Sequence, residues 1–445
     1  MNRQTFAWNR SRNKLRQEIR WIEFLSKAGL FLAALVLFSI NLGNLPLQAD
    51  EQTVSQVAKE IASAPFDSLR WLFPTLQEQP YLERPPLVHG LIALVYSLAG
   101  SNEWTTRLPG AFLAACSVPL LYSLGREIFA ARMPSLFSAA IYLTLLPVVR
   151  YGRLAMLDGA VLCFEILTIV CIVRSRRDLR WALGIGVGLS LLGLSRGIIG
   201  VIVAAIALLF LAWDTPRLLS SGFFAIGALL GGAPALAWHA AQFLRHGKPF
   251  AEEMFGQYFK VIDGYAIGLS WHPLLEILKS SLPWLIFALY GLRLAWQERN
   301  WGWAKLLLVW IGVLLAIVSL FSTRHVGAIV PIYPALALAG GAALAEAIDK
   351  PVDRVYPRLW TIVLSLLTLV PIVVCIGFYF DVNFGAFVAI DYLAFLFLGA
   401  LSLTWAVSAA LLAQRSEQFI LVLFWGMYVS WLLLVCSSHW IVFLN

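Results

Sequence analysis

Apolar residues run along this chain in long blocks, separated by short polar stretches in which arginine and lysine recur. Blocks of about 16 to 24 residues have the length of helices that cross a bilayer, and their spacing predicts a protein threaded repeatedly through a membrane. A polar lead, residues 1–27, carries Arg3, Arg10, Arg12, Lys14, Arg16, Arg20 and Lys27, and Ala28 to Leu47 then supplies a first crossing. The lead is long for a signal peptide and Leu47-Gln48-Ala49 is a poor cleavage site, so the first helix is expected to stay on the protein. Further crossings are expected near 109–128, 134–150, 158–173, 181–195, 198–213, 220–243, 273–296, 303–321, 327–345, 359–380, 392–413 and 419–437, about thirteen in all.

Residues 85–100 are apolar but short, and their status sets the side of everything that follows. Counting them as a crossing would put Arg174, Arg176, Arg177 and Arg180 outside the cell, against the positive-inside rule. As a helix lying at the interface, the segment leaves those residues inside, with Arg126, Arg132, Arg217, Arg299, Lys305, Lys350, Arg354, Arg358 and Arg415. The expected layout is a cytoplasmic segment 1–27 followed by one membrane unit, 28–445, with the C-terminus outside and no soluble domain after the last span. Residues 48–108 then form a first extracytoplasmic loop with interfacial helices, in which Val54, Val57, Ala58 and Ile61 recur at helical spacing.

Composition narrows the class: 60% of residues are hydrophobic and 13% charged, where a soluble chain has about 25% charged. The net charge of +8 is spread in small clusters between apolar blocks, so no nucleic-acid partner is expected. Five cysteines without a C-x-x-C pair and six histidines without metal-ligand spacing predict no disulfide framework and no dedicated metal, although a divalent ion is compatible with the chain. Gly184, Gly186 and Gly188 imitate a phosphate loop, but they sit inside an apolar helix with no strand before them, which favours close helix packing.

Ionisable residues at the outer boundary carry the candidate chemistry. Asp50 and Glu51 follow the first span, where a carboxylate can remain hydrated and act as a general base, while Asp50 also suits a helix cap. Arg84, between Tyr81-Leu82-Glu83 and Pro85-Pro86, is suited to a phosphate or, alternatively, to anchoring at lipid headgroups. Arg150, Arg153 and Asp158 cluster at the start of an apolar helix, where an acid is costly unless paired or functional; a salt bridge from Arg153 is one such pairing. Arg324 and His325 occupy a tight outer turn before Pro331, and Arg324 offers a second cation to the anion that Arg84 would meet. Lys260, Asp263, His272 and Arg196 stand alone in sequence and read as solvated or anchoring loop residues.

In order and spacing these pieces resemble the integral-membrane GT-C glycosyltransferases, in the branch of the protein O-mannosyltransferases and the lipid A aminoarabinose transferase. The resemblance runs from about Leu30 to Glu346 and rests on Asp50-Glu51, Glu83-Arg84-Pro85-Pro86, Arg107-Leu108-Pro109, Arg153-Leu154-Ala155-Met156-Leu157-Asp158 and Tyr333-Pro334-Ala335-Leu336-Ala337-Leu338. It implies an all-α GT-C fold in the plasma membrane and inverting transfer of a sugar from a polyprenyl-phosphate donor to a lipid or glycan acceptor at the extracytoplasmic face. By the same resemblance Asp50 is the catalytic base, and Asp158, held by Arg153, is a second catalytic-site carboxylate that orients acceptor or sugar. Glu51, Tyr81, Arg84, Arg153, Arg324 and His325 would contact substrate, with Arg84 and Arg324 on the departing phosphate. The chain departs from lipid A-type relatives at Thr53 and Val54, where they tend to have Arg-Tyr, and at Ala328, where they often have tyrosine. Two other readings suit the same pattern: a transporter or flippase of lipid-linked sugars, and a non-catalytic relative that binds them. A transporter should carry charges near the bilayer midplane and broken helices in paired halves, and the pattern shows neither.

Overall fold

The computed structural model describes residues 3–259, 272–320, 329–349, 356–379, 392–438 and 440–441. They form helices joined by short connections, with one two-residue antiparallel hairpin, β1 (Thr75–Leu76) and β2 (Gln79–Pro80), in the first loop. Helix α1 (Arg3–Ser39) runs unbroken from the polar lead into the first apolar block. Next come α2 (Ala49–Ser63), α3 (Leu87–Ala99), α4 (Glu103–Ile128), α5 (Arg132–Thr144), α6 (Leu146–Arg153), α7 (Asp158–Ser175), α8 (Trp181–Ser195) and α9 (Gly197–Asp214). They are followed by α10 (Pro216–Leu219), α11 (Gly222–His246), α12 (Lys248–Phe259), α13 (His272–Ser280), α14 (Trp284–Gln297) and α15 (Gly302–Leu320). The last are α16 (Tyr333–Asp349), α17 (Arg358–Tyr379), α18 (Tyr392–Ala413) and α19 (Phe419–Cys436).

Every block expected to cross the membrane coincides with a helix or a bent pair. Among the described residues nine helices are long and apolar enough to span alone, and α5 with α6 (bent by 59°) and α13 with α14 (bent by 111°) bring the count to eleven. Two further blocks are α7, which carries Asp158, Glu165 and Arg174 within its 18 residues, and α8, which has 15. The two bends depart from the expectation of unbroken helices. The chain is a multi-pass membrane protein.

Helix α4 is the axis of the core. Its Ala111, Ala114, Ala115 and Val118 are fully buried, and their small side chains let α1, α5 and α7 pack closely around it. Gly159, beside Asp158, faces α4 so closely that a Cβ there would lie 2.7 Å from the Gly110 carbonyl. The Gly184–Gly188 run is a packing surface: a Cβ on Gly186 would meet the Ala228 carbonyl at 2.2 Å, where α8 crosses α11. Leucines and phenylalanines on the outward sides of α11 and α17 are exposed, as lipid-facing positions require.

The apolar stripe of α2 is buried, but against α3 instead of lipid: Val54, Val57 and Ala58 are wholly covered, and Val54 and Ala58 share a cluster with Val88 and Ile92. The Tyr96 hydroxyl, near the end of α3, bonds Ser55 of α2 at 2.9 Å and Thr106 in the first turn of α4 at 2.6 Å. Helix α3 therefore begins and ends at one end of the bundle and does not traverse it. That end also holds the start of α2, the start of α4 and the start of α7.

Candidate functional site

The site forms where α1 ends. Ser39 closes the helix, and the chain passes through an irregular loop to Gln48, which precedes the first residue of α2. The cap position is thus Gln48, and Asp50 lies in the first turn of α2, exposed, in the positive field of the helix start. Among the described residues Asp50 takes no hydrogen bond or ion pair, so the alternative reading of it as a cap is set aside.

Glu51 faces the other way. Its side chain is fully buried and saturated: Arg107 donates from Nε to Oε1 at 2.9 Å and from Nη2 to Oε2 at 2.7 Å. The Gln48 N–H donates to Oε2 at 3.0 Å and the Ala155 N–H to Oε1 at 2.7 Å. Arg107, equally buried, also donates to the carbonyls of Leu42 (2.6 Å), Leu45 (2.9 Å) and Pro46 (3.1 Å). One guanidinium therefore orders the whole loop that precedes Asp50. The expected substrate contact by Glu51 is not what this geometry provides, because both oxygens are already occupied inside the protein.

Tyr81, buried to 5% exposure, lies between the hairpin and α3. Its hydroxyl donates to Glu83 Oε2 at 3.5 Å, and its ring meets His89 edge-on with centroids 5.6 Å apart. Burial pushes the phenol well above its ordinary range; the charges of Arg84, Glu83 and Asp50 all act on it, which places Asp50 and Arg84 in one electrostatic neighbourhood. Arg84 is half-buried and holds Glu83 at 3.5 Å. His89 is fully buried, with Nδ1 3.1 Å from the Pro85 carbonyl; burial, with Arg84 nearby, pushes its imidazole down to about 4.

A second group gathers residues of α6 and α13, from the two bent pairs, with Asp158 at the start of α7, Arg196 before α9 and Tyr333 at the start of α16. Asp158, 1% exposed, ion-pairs with Arg196 and not with Arg153 as expected. Arg153 instead turns to the end of α1, donating to the carbonyls of Leu37 and Ile40 at 2.7 Å each, with its guanidinium 4.4 Å from the Trp440 ring centre. The last carbonyls of a helix lack intrahelical partners, and a cation beside them satisfies them and meets the negative end of the helix dipole. Arg153, wholly buried and with both Nη atoms spent on these carbonyls, is therefore a structural clamp. Arg150, Asp158, Arg196 and Glu276 all act electrostatically on Tyr151, and the Tyr333 hydroxyl lies 3.2 Å from Ser280 Oγ in the same group.

Arg324, His325, Lys260, Asp263 and the departure at Ala328 lie outside the described residues. His272 opens α13 and is exposed. Arg196, read from the sequence as a solitary loop residue, is the partner of Asp158. Glu276 was missed, although an acid within an apolar block was the signal that could have found it. Among the described residues no three His, Cys, Asp or Glu side chains are grouped to hold a metal.

Residues 83–238 match the family model described as dolichyl-phosphate-mannose-protein mannosyltransferase. The chain is 26% identical over 318 residues to the undecaprenyl phosphate-alpha-4-amino-4-deoxy-L-arabinose arabinosyl transferase 1 of Pseudomonas fluorescens, covering 67% of this chain and 55% of that protein. It is also 26% identical over 349 residues to the protein of the same name in Sodalis glossinidius, covering 74% of this chain and 61% of that one. The matches thus span somewhat over half the length of these relatives. Among solved structures, ArnT from Cupriavidus metallidurans bound to undecaprenyl phosphate superposes with a TM-score of 0.72 at 19% identity, covering 94% of this chain and 78% of that one. Its apo form gives the same TM-score over 93% and 77%. In sequence the chain is thus similar to the dolichyl-phosphate-mannose-protein mannosyltransferase family over residues 83–238 and to the aminoarabinose transferases over a longer stretch, and it shares the fold of ArnT.

Proposed function

We propose that the protein transfers a sugar from a polyprenyl-phosphate donor to a lipid or glycan acceptor, with inversion, at the extracytoplasmic face of the plasma membrane. The observation that carries this reading is the state of Asp50: an exposed carboxylate with no hydrogen bond or ion pair among the described residues, fixed by the fully occupied Glu51–Arg107 pair beside it. In the reaction Asp50 takes the proton of an acceptor hydroxyl as its oxygen attacks the anomeric carbon. The bond from that carbon to the phosphate oxygen breaks, its electron pair leaves with the lipid phosphate, and Arg84 stabilises the charge that develops. Asp158, oriented by Arg196, positions acceptor or sugar. Arg324 and His325 remain candidates for the same anion. In this reading residues 1–27 face the cytoplasm, 28–445 form the transferase unit, and residues 48–108 lie outside.

Support comes from the names of the relatives and from the shared fold of a protein solved with undecaprenyl phosphate. The first donor to try is therefore 4-amino-4-deoxy-L-arabinose on undecaprenyl phosphate. The test is the mass profile of polar lipids and lipid-linked glycans from cells carrying the wild-type or the Asp50→Asn chain. A product lighter by one sugar in the variant, with the purified variant folded and still binding donor, supports transfer. Full activity of Asp50→Asn removes it as the base. An unchanged product profile with a sugar-lipid accumulating favours the flippase reading, to which the two bent helix pairs lend some geometry.

A further inference from the structure

At the far end of the bundle from Asp50, the ends of α4, α7 and α9 meet the start of α15 around a cavity of about 350 Å³. Twenty residues of α4 separate Arg107 from Glu127 in its wall, about 30 Å of helix rise, which is the thickness of the hydrocarbon core. The cavity thus lies at the opposite membrane boundary.

Its charge is uneven. Glu127 pairs with Arg174 at 2.8 Å and with Arg177 at 3.3 Å; Asp214 pairs with Arg176 at 2.9 Å and with Lys305 at 3.2 Å. Four cations surround two carboxylates, an excess of two positive charges. Arg176 and Arg177 each reach a carboxylate through one nitrogen, which leaves most of the five N–H donors of each guanidinium unspent among the described residues. Thr215 Oγ1, in the same wall, is buried and makes no hydrogen bond among the described residues. Gly302 keeps the space beside Arg176 open, since a Cβ there would lie 3.0 Å from Nη1. Trp301 and Trp303 flank the opening, the first of them 67% exposed, as indoles do at a membrane boundary.

Forked guanidinium donors, a spare hydroxyl, surplus positive charge and interfacial indoles match one ligand chemistry, a phosphate carried on a lipid. We propose that this cavity binds the phosphate of an anionic lipid from the leaflet opposite Asp50, held by Arg176, Arg177 and Thr215. The inference rests on the membrane-spanning fold and is independent of the transfer reaction.

The test is calorimetric titration of the purified full chain, in neutral detergent, with dioctanoyl phosphatidylglycerol, dioctanoyl phosphatidylcholine and inorganic phosphate in separate runs. Phosphatidylglycerol is expected to bind at least about tenfold more tightly than the other two, the scale of one charge-assisted hydrogen bond. Arg177→Glu, at a side chain 76% exposed and so tolerant of change, and Thr215→Val should each weaken it by about tenfold. Arg84→Ala, which removes the cation proposed for the donor phosphate, should leave it unchanged, which assigns the site to the far end. Equal affinity for phosphatidylcholine, equal affinity for inorganic phosphate, or undiminished binding by Arg177→Glu would each overturn the proposal.

Discussion

A helix turns successive side chains by about 100°, so Asp50 faces outward with a hydrated carboxylate while Glu51 points inward to Arg107. The same two functional groups thus serve different ends, one exposed and, in the proposed reaction, accepting a proton, the other consumed in fixing the backbone. In the proposed reaction Arg84 supplies the cation that a departing phosphate requires. Arg84→Ala is expected to raise the dissociation constant for polyprenyl phosphate by about tenfold or more, measured on purified protein, while membrane insertion is unaffected. Unchanged affinity would take Arg84 out of the phosphate role. His89 supplies a pH signature of the same corner. Its folded-state value of about 4 lies below the ordinary 6.5, because burial opposes the charged ring. The unfolded chain therefore binds the extra proton, and stability should fall as pH drops from about 6.5 towards 4, by up to about 3 kcal/mol. Thermal unfolding of the wild type and His89→Gln across that window checks this: the slope should flatten in the variant.

Between elements, the Glu51–Arg107 pair is a brace. It ties the first turn of α2 to α4 and, through the Ala155 N–H, to the segment that leads into Asp158. Both carboxylates assigned to chemistry therefore hang from one buried pair. Breaking such a pair leaves an uncompensated charge, and Arg107→Ala should cost about 3–5 kcal/mol with loss of activity. Arg107→Lys should restore little, since an ammonium cannot reproduce the fork that reaches two carboxylate oxygens and three carbonyls. Asp50→Asn, by contrast, should keep the wild-type unfolding midpoint. A destabilised Asp50→Asn and a stable Arg107→Ala would exchange the roles given to these residues. The bends between α5 and α6 and between α13 and α14 belong at this scale too, because α6 and α13 bring Arg150, Tyr151, Glu276 and Ser280 into one group.

For the whole molecule the decisive property is which membrane face each end occupies. Since α3 starts and finishes at the Asp50 end, the Arg174–Arg180 cluster falls at the opposite end. In a background with the native cysteines replaced, Arg180→Cys should resist an impermeant thiol reagent added outside intact cells, and Gln77→Cys should react with it. Labelling of Arg180→Cys from outside would invert the orientation and place the proposed transfer site on the cytoplasmic side.

The sequence by itself determined the helical blocks, their crossing lengths and the basic clusters between them. These follow from bilayer thickness and from the cost of carrying charge through it, both local properties of a stretch of chain. It also marked Asp50, Arg84 and Asp158 as notable, because ionisable residues beside apolar blocks stand out one at a time. What it could not decide was pairing. Glu51 meets Arg107 from 56 positions away, and Asp158 meets Arg196 across 38, where the neighbouring Arg153 had been the obvious partner. Those choices depend on how α1, α4, α7 and α9 cross, and on which buried carbonyls at the end of α1 demand a donor. Helix packing fixes such distances only once the whole bundle is assembled, so the tertiary structure alone separated the exposed Asp50 from Glu51, which is spent bracing the loop before it.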